Sequence, residues 1–143
     1  MYQVLKSDTY IMVLFPMFFA SNWFYTYQFN GVNLAFFNIR TRSLNNLLYW
    51  TAQIFGAIIF GTALDFPKVR RSVRAKAVTI VLFMLIMGIW GGGYAFQTRY
   101  TRASVATSEA ETMDWTDPGY VGPLFLYIFY GFFDAAWQTT SYW

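Results

Sequence analysis

Four long apolar runs, separated by polar segments, divide the sequence. They extend over about residues 10–30, 47–64, 77–96 and 119–142. An α-helix rises 1.5 Å per residue, so roughly 20 apolar residues are needed to cross a hydrocarbon core of about 30 Å. Each run is close to that length. The pattern therefore predicts an all-α fold, a polytopic membrane helix bundle in which residues 1–143 form a single partial domain with four transmembrane helices.

The composition is typical of a membrane protein, and it excludes several kinds of catalytic and metal-binding site. Of the 143 residues, 57% are hydrophobic, 23% are aromatic and only 12% are charged, which is too little charge to cover a soluble globule. The chain has no cysteine and no histidine, so thiol catalysis, Ser-His-Asp catalysis and zinc sites built from these residues are excluded. We expect no enzymatic activity, no cofactor and no metal site.

Positive charge is concentrated between the second and third runs, where residues 65–76 form a predicted loop. This loop contains Lys68, Arg70, Arg71, Arg74 and Lys76. The positive-inside rule places it in the cytosol, the loop at residues 97–118 on the outer side, and both termini in the cytosol. Because the basic residues lie in short loops and not along a folded face, we expect the lipid bilayer as a partner and no nucleic acid. The outer acids Glu109, Glu111 and Asp114 are interpreted as a solvated face.

The fourth run contains a single carboxylate, Asp134. It lies on a stripe of residues spaced by three and four, formed by Tyr127, Tyr130, Asp134, Gln138 and Ser141. An acid at this depth costs something like 2.5–3.5 kcal/mol on insertion, so it is rarely kept without a partner, a cavity or a task. Two interpretations are open: a site that binds substrate or a coupling proton, or a structural acid bonded to an Asn, a Tyr or a backbone group of another helix.

The first run carries a polar face that could complete such a site. Asn22, Thr26, Asn30 and Asn33 recur at helical spacing. If this face meets the stripe on the fourth run, the two would line a water-filled path. The predicted substrate or proton path therefore consists of Asp134, Asn22, Thr26, Asn30, Gln138 and Tyr130.

A second candidate site lies at the cytosolic end of the second run. Gly61 and Asp65 are followed by Arg70, Arg71 and Arg74. An acid at a helix C-terminus gains from nearby arginines, so charge pairing across the helix ends could act as a cytosolic gate. The alternative is a topology signal that attracts anionic lipid head groups.

Small residues are also grouped. Ala52 with Gly56, and Ala57 with Gly61, form small-xxx-small pairs that allow helices to approach closely. The three glycines at positions 91–93 predict either a close neighbour or a bend in the third helix.

Several stretches resemble a known family. The segment from Gly61 to Arg71 is similar to the loop motif of the major facilitator superfamily, although Phe66, Pro67 and Lys68 depart from it and the arginine pair falls one residue late. The runs FPMFFASNWFYTYQFN (15–30), NIRTRSLNNLLYW (38–50), WGGGYAFQ (90–97) and YGFFDAAWQ (130–138) look like the fungal Unc-ninety-three-like branch of that superfamily. The resemblance implies twelve helices in two halves, of which these four would match roughly the seventh to tenth.

The resemblance implies a transporter-like protein that moves a small solute or ion by alternating access. The solute is not implied by it. The further partners would be the remaining helices of a longer chain or another membrane protein. Two alternatives stay open: a non-transporting adaptor that binds other membrane proteins, and a truncated inactive product.

Overall fold

The computed structural model describes residues 9–106 and 112–143. The predicted all-α class is confirmed: within these ranges the chain is helical, and an isolated bridge between Phe37 and Met113 is the one strand-like contact. The elements, in chain order, are α1 (Thr9–Ala20), α2 (Trp23–Tyr25), a π-helix (Thr26–Leu34), α3 (Ile39–Leu64), α4 (Arg71–Gln97), α5 (Arg102–Ala106) and α6 (Val121–Tyr142).

The span predicted over residues 10–30 consists of three helical segments, α1, α2 and the first part of the π-helix. Pro16 lies within α1, and this helix ends just before Ser21. The hydroxyl and the N–H of Ser21 both donate to the carbonyl of Phe18. Beyond α2 the chain becomes a π-helix of 9 residues. A π-helix has more residues per turn than an α-helix, so positions spaced by four drift off a common face.

Two of the described helices are long and apolar enough to cross a membrane, against the four that we predict from the sequence. They are α3, with a mean hydropathy of 1.6, and α4, with 1.9. The 22 residues of α6 include Asp134, Gln138 and several hydroxyl side chains, which lower its hydropathy. Its polar face is turned inward, since Tyr127, Tyr130 and Asp134 are all buried.

The helices α3 and α4 are longer than predicted, so the loop between them is shorter. The side chain of Asn38 caps α3 by accepting a hydrogen bond from the N–H of Thr41 at 3.0 Å. At the other end α3 stops at Leu64, before Pro67. Because α4 begins at Arg71, only residues 65–70 separate the two helices. Three of the five basic residues of the predicted loop therefore lie in the first turns of α4.

The helix α6 organises the bundle. It packs most extensively against α3 and next against α4. The glycine run of α4 stays helical, and its last two glycines serve close packing. A Cβ at Gly93 would lie 3.0 Å from the hydroxyl of Tyr130, and one at Gly92 would lie 3.3 Å from Leu126. Large apolar side chains such as Ile80, Phe83 and Met84 point outward from α4, as expected for a helix that faces lipid.

The segment before α6 is tied to the start of α3, which corrects the interpretation of Asp114 as a solvated acid. The hydroxyl of Thr41 donates to Asp114 at 2.9 Å. Burial raises the pKa of Asp114, but hydrogen bonds from Asn38 and Thr41, the N–H of Trp115 and the nearby Arg40 outweigh it, so that the pKa lies below its ordinary value. Glu109 and Glu111 lie outside the described residues.

Candidate functional site

Asp134 lies at the centre of a buried cluster of hydrogen bonds. Its side chain is fully buried. The hydroxyl of Tyr25 donates to both carboxylate oxygens, at 2.9 and 2.8 Å, and the hydroxyl of Tyr49 donates to Oδ2 at 2.9 Å. The side-chain amide of Gln53 donates to the same oxygen. We call Tyr25, Tyr49, Gln53 and Asp134 the acid cluster.

The acid cluster joins three elements. Tyr25 is the last residue of α2, Tyr49 and Gln53 are one turn apart on α3, and Asp134 lies in the middle of α6. All three donors are uncharged. A carboxylate accepts hydrogen bonds at both of its oxygens, whereas protonation turns one of these oxygens into a donor. Proton uptake would therefore disturb the bond from Tyr25, which connects α2 to α6.

Close contact between the backbones of α3 and α6 makes the cluster possible. Gly131 lies one turn before Asp134, and a Cβ there would overlap the carbonyl of Tyr49. A Cβ at Gly56 would lie 2.8 Å from the Cβ of Ala135. These glycines let α6 approach α3 until Tyr49 and Gln53 reach the carboxylate. The pair Ala52 and Gly56 is thus used within the chain, while Gly61 has no neighbour within 4 Å.

Of the other predicted path residues, the structure brings Gln138 into a side-chain hydrogen bond with Asp134, but not Asn22, Thr26 or Asn30. Asn22 and Gln138 line a small cleft of about 70 Å³ at the end of α6. Thr26 and Asn30 line a separate cavity of about 600 Å³ beside the π-helix. Neither cavity includes Asp134. The predicted pairing of Asp134 with Asn22, Thr26 and Asn30 is therefore replaced by the acid cluster, since α2 turns Tyr25 toward the carboxylate and leaves these three side chains exposed.

Tyr130, the sixth predicted path residue, is buried one turn before Asp134. Its hydroxyl faces Gly93 of α4, and its ring lies edge-on to the ring of Tyr27 with the centroids 6.5 Å apart. Tyr130 therefore connects α6 to the π-helix and to α4.

A second buried polar cluster lies nearer the beginning of α3. The amide of Asn45 donates to Asn33 at 3.0 Å, and the amide of Asn33 donates to Asn46 at 2.9 Å. The hydroxyl of Tyr120 donates to Asn45 at 2.6 Å. We call Asn33, Asn45, Asn46 and Tyr120 the amide cluster. It contains no carboxylate. Because Asn33 is buried in this cluster, it does not belong to the polar face predicted for the first run.

The predicted cytosolic gate is organised around Trp143. The indole N–H of Trp143 donates to Asp65 at 3.0 Å. The guanidinium groups of Arg71 and Arg74 lie 4.8 and 5.3 Å from the centre of its rings, and Arg74 also donates to the carbonyl of Leu64. An aromatic ring thus lies between the acid and these two arginines, while Arg70 is exposed at the N-cap of α4.

Sequence reasoning missed the donors that hold Asp134. The positions that α3 buries are Thr41, Asn45, Tyr49, Ala52, Gly56, Phe60 and Leu64. They recur at intervals of three and four, and the first five are polar or small. In a helix of high mean hydropathy, such a stripe indicates the face that meets other helices. Tyr25 carried no comparable signal, because its orientation depends on the break at Ser21.

The fold and the site define a class: a helical membrane protein with an acid buried between its helices. No protein-family model matches the chain, and no solved structure matches it. An UNC93-like protein of Schizosaccharomyces pombe is 55% identical to the chain, and the match covers 99% of the chain's length. The UNC93-like protein 1 of Arabidopsis thaliana is 40% identical over 95%. An uncharacterized membrane protein of S. pombe is 31% identical over 87%.

The chain belongs to the UNC93-like family, as the sequence resemblance predicts. It spans only 28%, 29% and 25% of the lengths of these three relatives. It therefore corresponds to about a quarter of the proteins that it matches. Its orientation in the membrane and the number of its spans stay predictions.

Proposed function

We propose that the chain contributes to a transporter-like protein of the major facilitator type, which moves a small solute by alternating access. The observation that carries the proposal is the acid cluster. A fully buried carboxylate, held by side chains from two other elements, is a group that can exchange a proton or a cation as helices move. Family membership supports the membrane setting but leaves the solute open.

In this proposal Asp134 is the coupling group. The bond from Tyr25 joins it to α2, whereas the bonds from Tyr49 and Gln53 join it to α3. Because protonation disturbs these bonds, occupancy of the carboxylate is linked to the position of α2 relative to the pair α3 and α6. Asn22 with Gln138, and Thr26 with Asn30, would then line the two ends of the solute path.

At the cytosolic end, the proposed gate is a cluster of Gly61, Asp65, Arg70, Arg71 and Arg74. Trp143 holds Asp65 on one side and the guanidinium groups of Arg71 and Arg74 on the other. A change in the distance between α3 and α6 would separate the indole from Asp65. The same change would lengthen the bonds from Tyr49 and Gln53 to Asp134, so the gate is linked to the acid cluster through these two bonds and not through the bond from Tyr25.

The test is uptake by cells that express the full-length protein. A pooled panel of isotopically labelled amino acids, sugars, nucleosides and inorganic ions is supplied at two pH values, with an empty vector as reference. We expect at least one solute to accumulate in a pH-dependent manner, and Asp134→Asn to abolish that dependence at unchanged surface expression. Asp114→Asn is the matched control, because Asp114 lies outside the predicted spans. Unaltered pH-dependent uptake by Asp134→Asn would refute the coupling role.

A further inference from the structure

A cavity of about 600 Å³ lies beside the π-helix, at the end of α4 that contains Gln97. We propose that this cavity binds an uncharged ring compound that carries several hydrogen-bonding groups. The proposal rests on the aromatic walls of the cavity, on the unpartnered polar side chains that face it and on the lack of charge among the described residues that line it.

Two of the aromatic walls are fixed by hydrogen bonds. The hydroxyl of Tyr100 donates to the carbonyl of Gly31 at 3.0 Å, and the hydroxyl of Tyr27 donates to the carbonyl of Gly93 at 3.3 Å. A tyrosine hydroxyl is protonated at neutral pH and thus a donor, and burial raises the pKa of Tyr100 further, to about 12. Rings that are held in place before a ligand arrives lose little conformational freedom on binding.

The third wall is Trp23, whose side chain is 66% exposed. Its ring makes an edge contact with Phe19, at 5.3 Å between ring centres. Together with Tyr27 and Tyr100 it presents three aromatic faces to one cavity. Aromatic side chains provide large, flat contact surfaces for other rings, which indicates a ligand with a planar or ring-shaped face.

Polar recognition comes from Thr26, Asn30 and Gln97. Within residues 9–106 and 112–143, no hydrogen bond is formed by these three side chains, and all three line the cavity. Each amide offers two N–H groups and one carbonyl. Since Thr26 and Asn30 are on the π-helix and Gln97 is at the end of α4, a ligand between them would be bound from both sides.

Among the described residues that line the cavity there is no Asp, Glu, Lys or Arg. Charged solutes need a counter-charge when they leave water, so the chemistry of the walls favours a neutral ligand. The volume lies within the range of about 300–1,000 Å³ that small-molecule sites occupy. Sugars and nucleosides both meet the description of an uncharged ring with several donors and acceptors.

This proposal rests on the proposed function, because the ligand of the cavity would be the class of solute that the protein moves. Its test is nevertheless an equilibrium measurement. Calorimetric titration of the full-length protein in lipid nanodiscs uses uridine and glucose as probes, with uridine monophosphate and glucose 6-phosphate as charged counterparts. We expect a dissociation constant below about 10 mM for at least one neutral probe and binding at least tenfold weaker for its phosphate.

The variants Asn30→Leu and Gln97→Met should each weaken that binding roughly tenfold. Thr79→Val is the matched control: Thr79 is an exposed polar residue of α4 that bonds only to its own helix at Ala75, and its substitution should leave binding unchanged. Asp134→Asn should also still bind the probe, so loss of coupling and loss of the site remain distinguishable.

The proposal is overturned if neither uridine nor glucose binds, if a phosphate binds as tightly as its neutral counterpart, or if Asn30→Leu and Gln97→Met behave like Thr79→Val. Binding of uridine alone would assign the site to nucleoside-like rings, whereas binding of glucose alone would assign it to sugars. Either result supports the cavity as a site for neutral rings.

Discussion

The acid cluster and the amide cluster are both buried polar networks that link α3 to other elements, yet they differ in one chemical respect. The carboxyl group of Asp134 can gain and lose a proton, whereas the side-chain amide of Asn45 does not titrate. Both side chains are fully buried and accept hydrogen bonds from a tyrosine. The amide cluster can therefore fix the packing at all pH values, while the acid cluster contains a group that can titrate. This difference is why we assign a coupling role to one and a structural role to the other.

The largest expected effect is a loss of folding stability, and its size should differ between the two clusters. Asp134→Leu would leave three donors without an acceptor, and Asn45→Leu would remove the partners of Asn33 and Tyr120. Since interhelical hydrogen bonds in membranes contribute about 0.6–2 kcal/mol each, we expect losses of roughly 3 kcal/mol for Asp134→Leu and roughly 2 kcal/mol for Asn45→Leu. Reversible unfolding in mixed micelles measures both, and a smaller loss for Asp134→Leu would contradict the ranking.

A second prediction removes the contact that brings α3 and α6 together at the acid cluster. Gly131→Ala places a Cβ against the backbone of Tyr49, so we expect a destabilisation of about 1–3 kcal/mol and a displaced Tyr49. Gly122→Ala is the control on the same helix, because a Cβ there meets nothing within 4 Å. The free energy of unfolding of both variants is measured. Equal values for Gly131→Ala and Gly122→Ala would contradict a close contact at Gly131.

These contacts show what sequence could predict and what it could not. Runs of apolar residues predict helices near residues 47–64, 77–96 and 119–142, where the structure has α3, α4 and α6, although of the described helices only α3 and α4 are long and apolar enough to cross a membrane. The break near Ser21 did not follow from such runs, because it depends on a local hydrogen bond and on the conversion to a π-helix. Without that break the spacing of Asn22, Thr26 and Asn30 predicted a single polar face, and Tyr25 was overlooked.

A smaller effect isolates the bond between α2 and the acid cluster. Tyr25→Phe removes the two hydrogen bonds to Asp134 and retains the ring, so we expect a loss of about 1 kcal/mol in stability. Hydrogen exchange of α2 should also increase, because its connection to α6 is lost. Tyr94→Phe, at an exposed position of α4, should change neither quantity. Unaltered exchange of α2 in Tyr25→Phe would argue against the link.

The smallest effect concerns Asp114, a second acid that is bonded but lies outside the predicted spans. Its pKa is lowered in the folded protein, so the stability that it contributes is present above its unfolded pKa and is lost as the pH falls through its folded pKa. Asp114→Asn should therefore lower the stability at neutral pH and flatten the profile on the acidic side, below about pH 4, where the stabilities of the two proteins should converge. Unfolding of both proteins across this range checks the sign.

The central claim, that Asp134 exchanges a proton while buried, can be measured without knowing the solute. Infrared difference spectroscopy of the full-length protein in lipid, titrated from about pH 4 to about pH 9, detects the carbonyl band of a protonated carboxyl group. We predict a titrating band that is absent in Asp134→Asn and retained in Asp65→Asn and Asp114→Asn. If no band depends on Asp134 over this range, the acid is fixed in one protonation state, and its role is structural like that of the amide cluster.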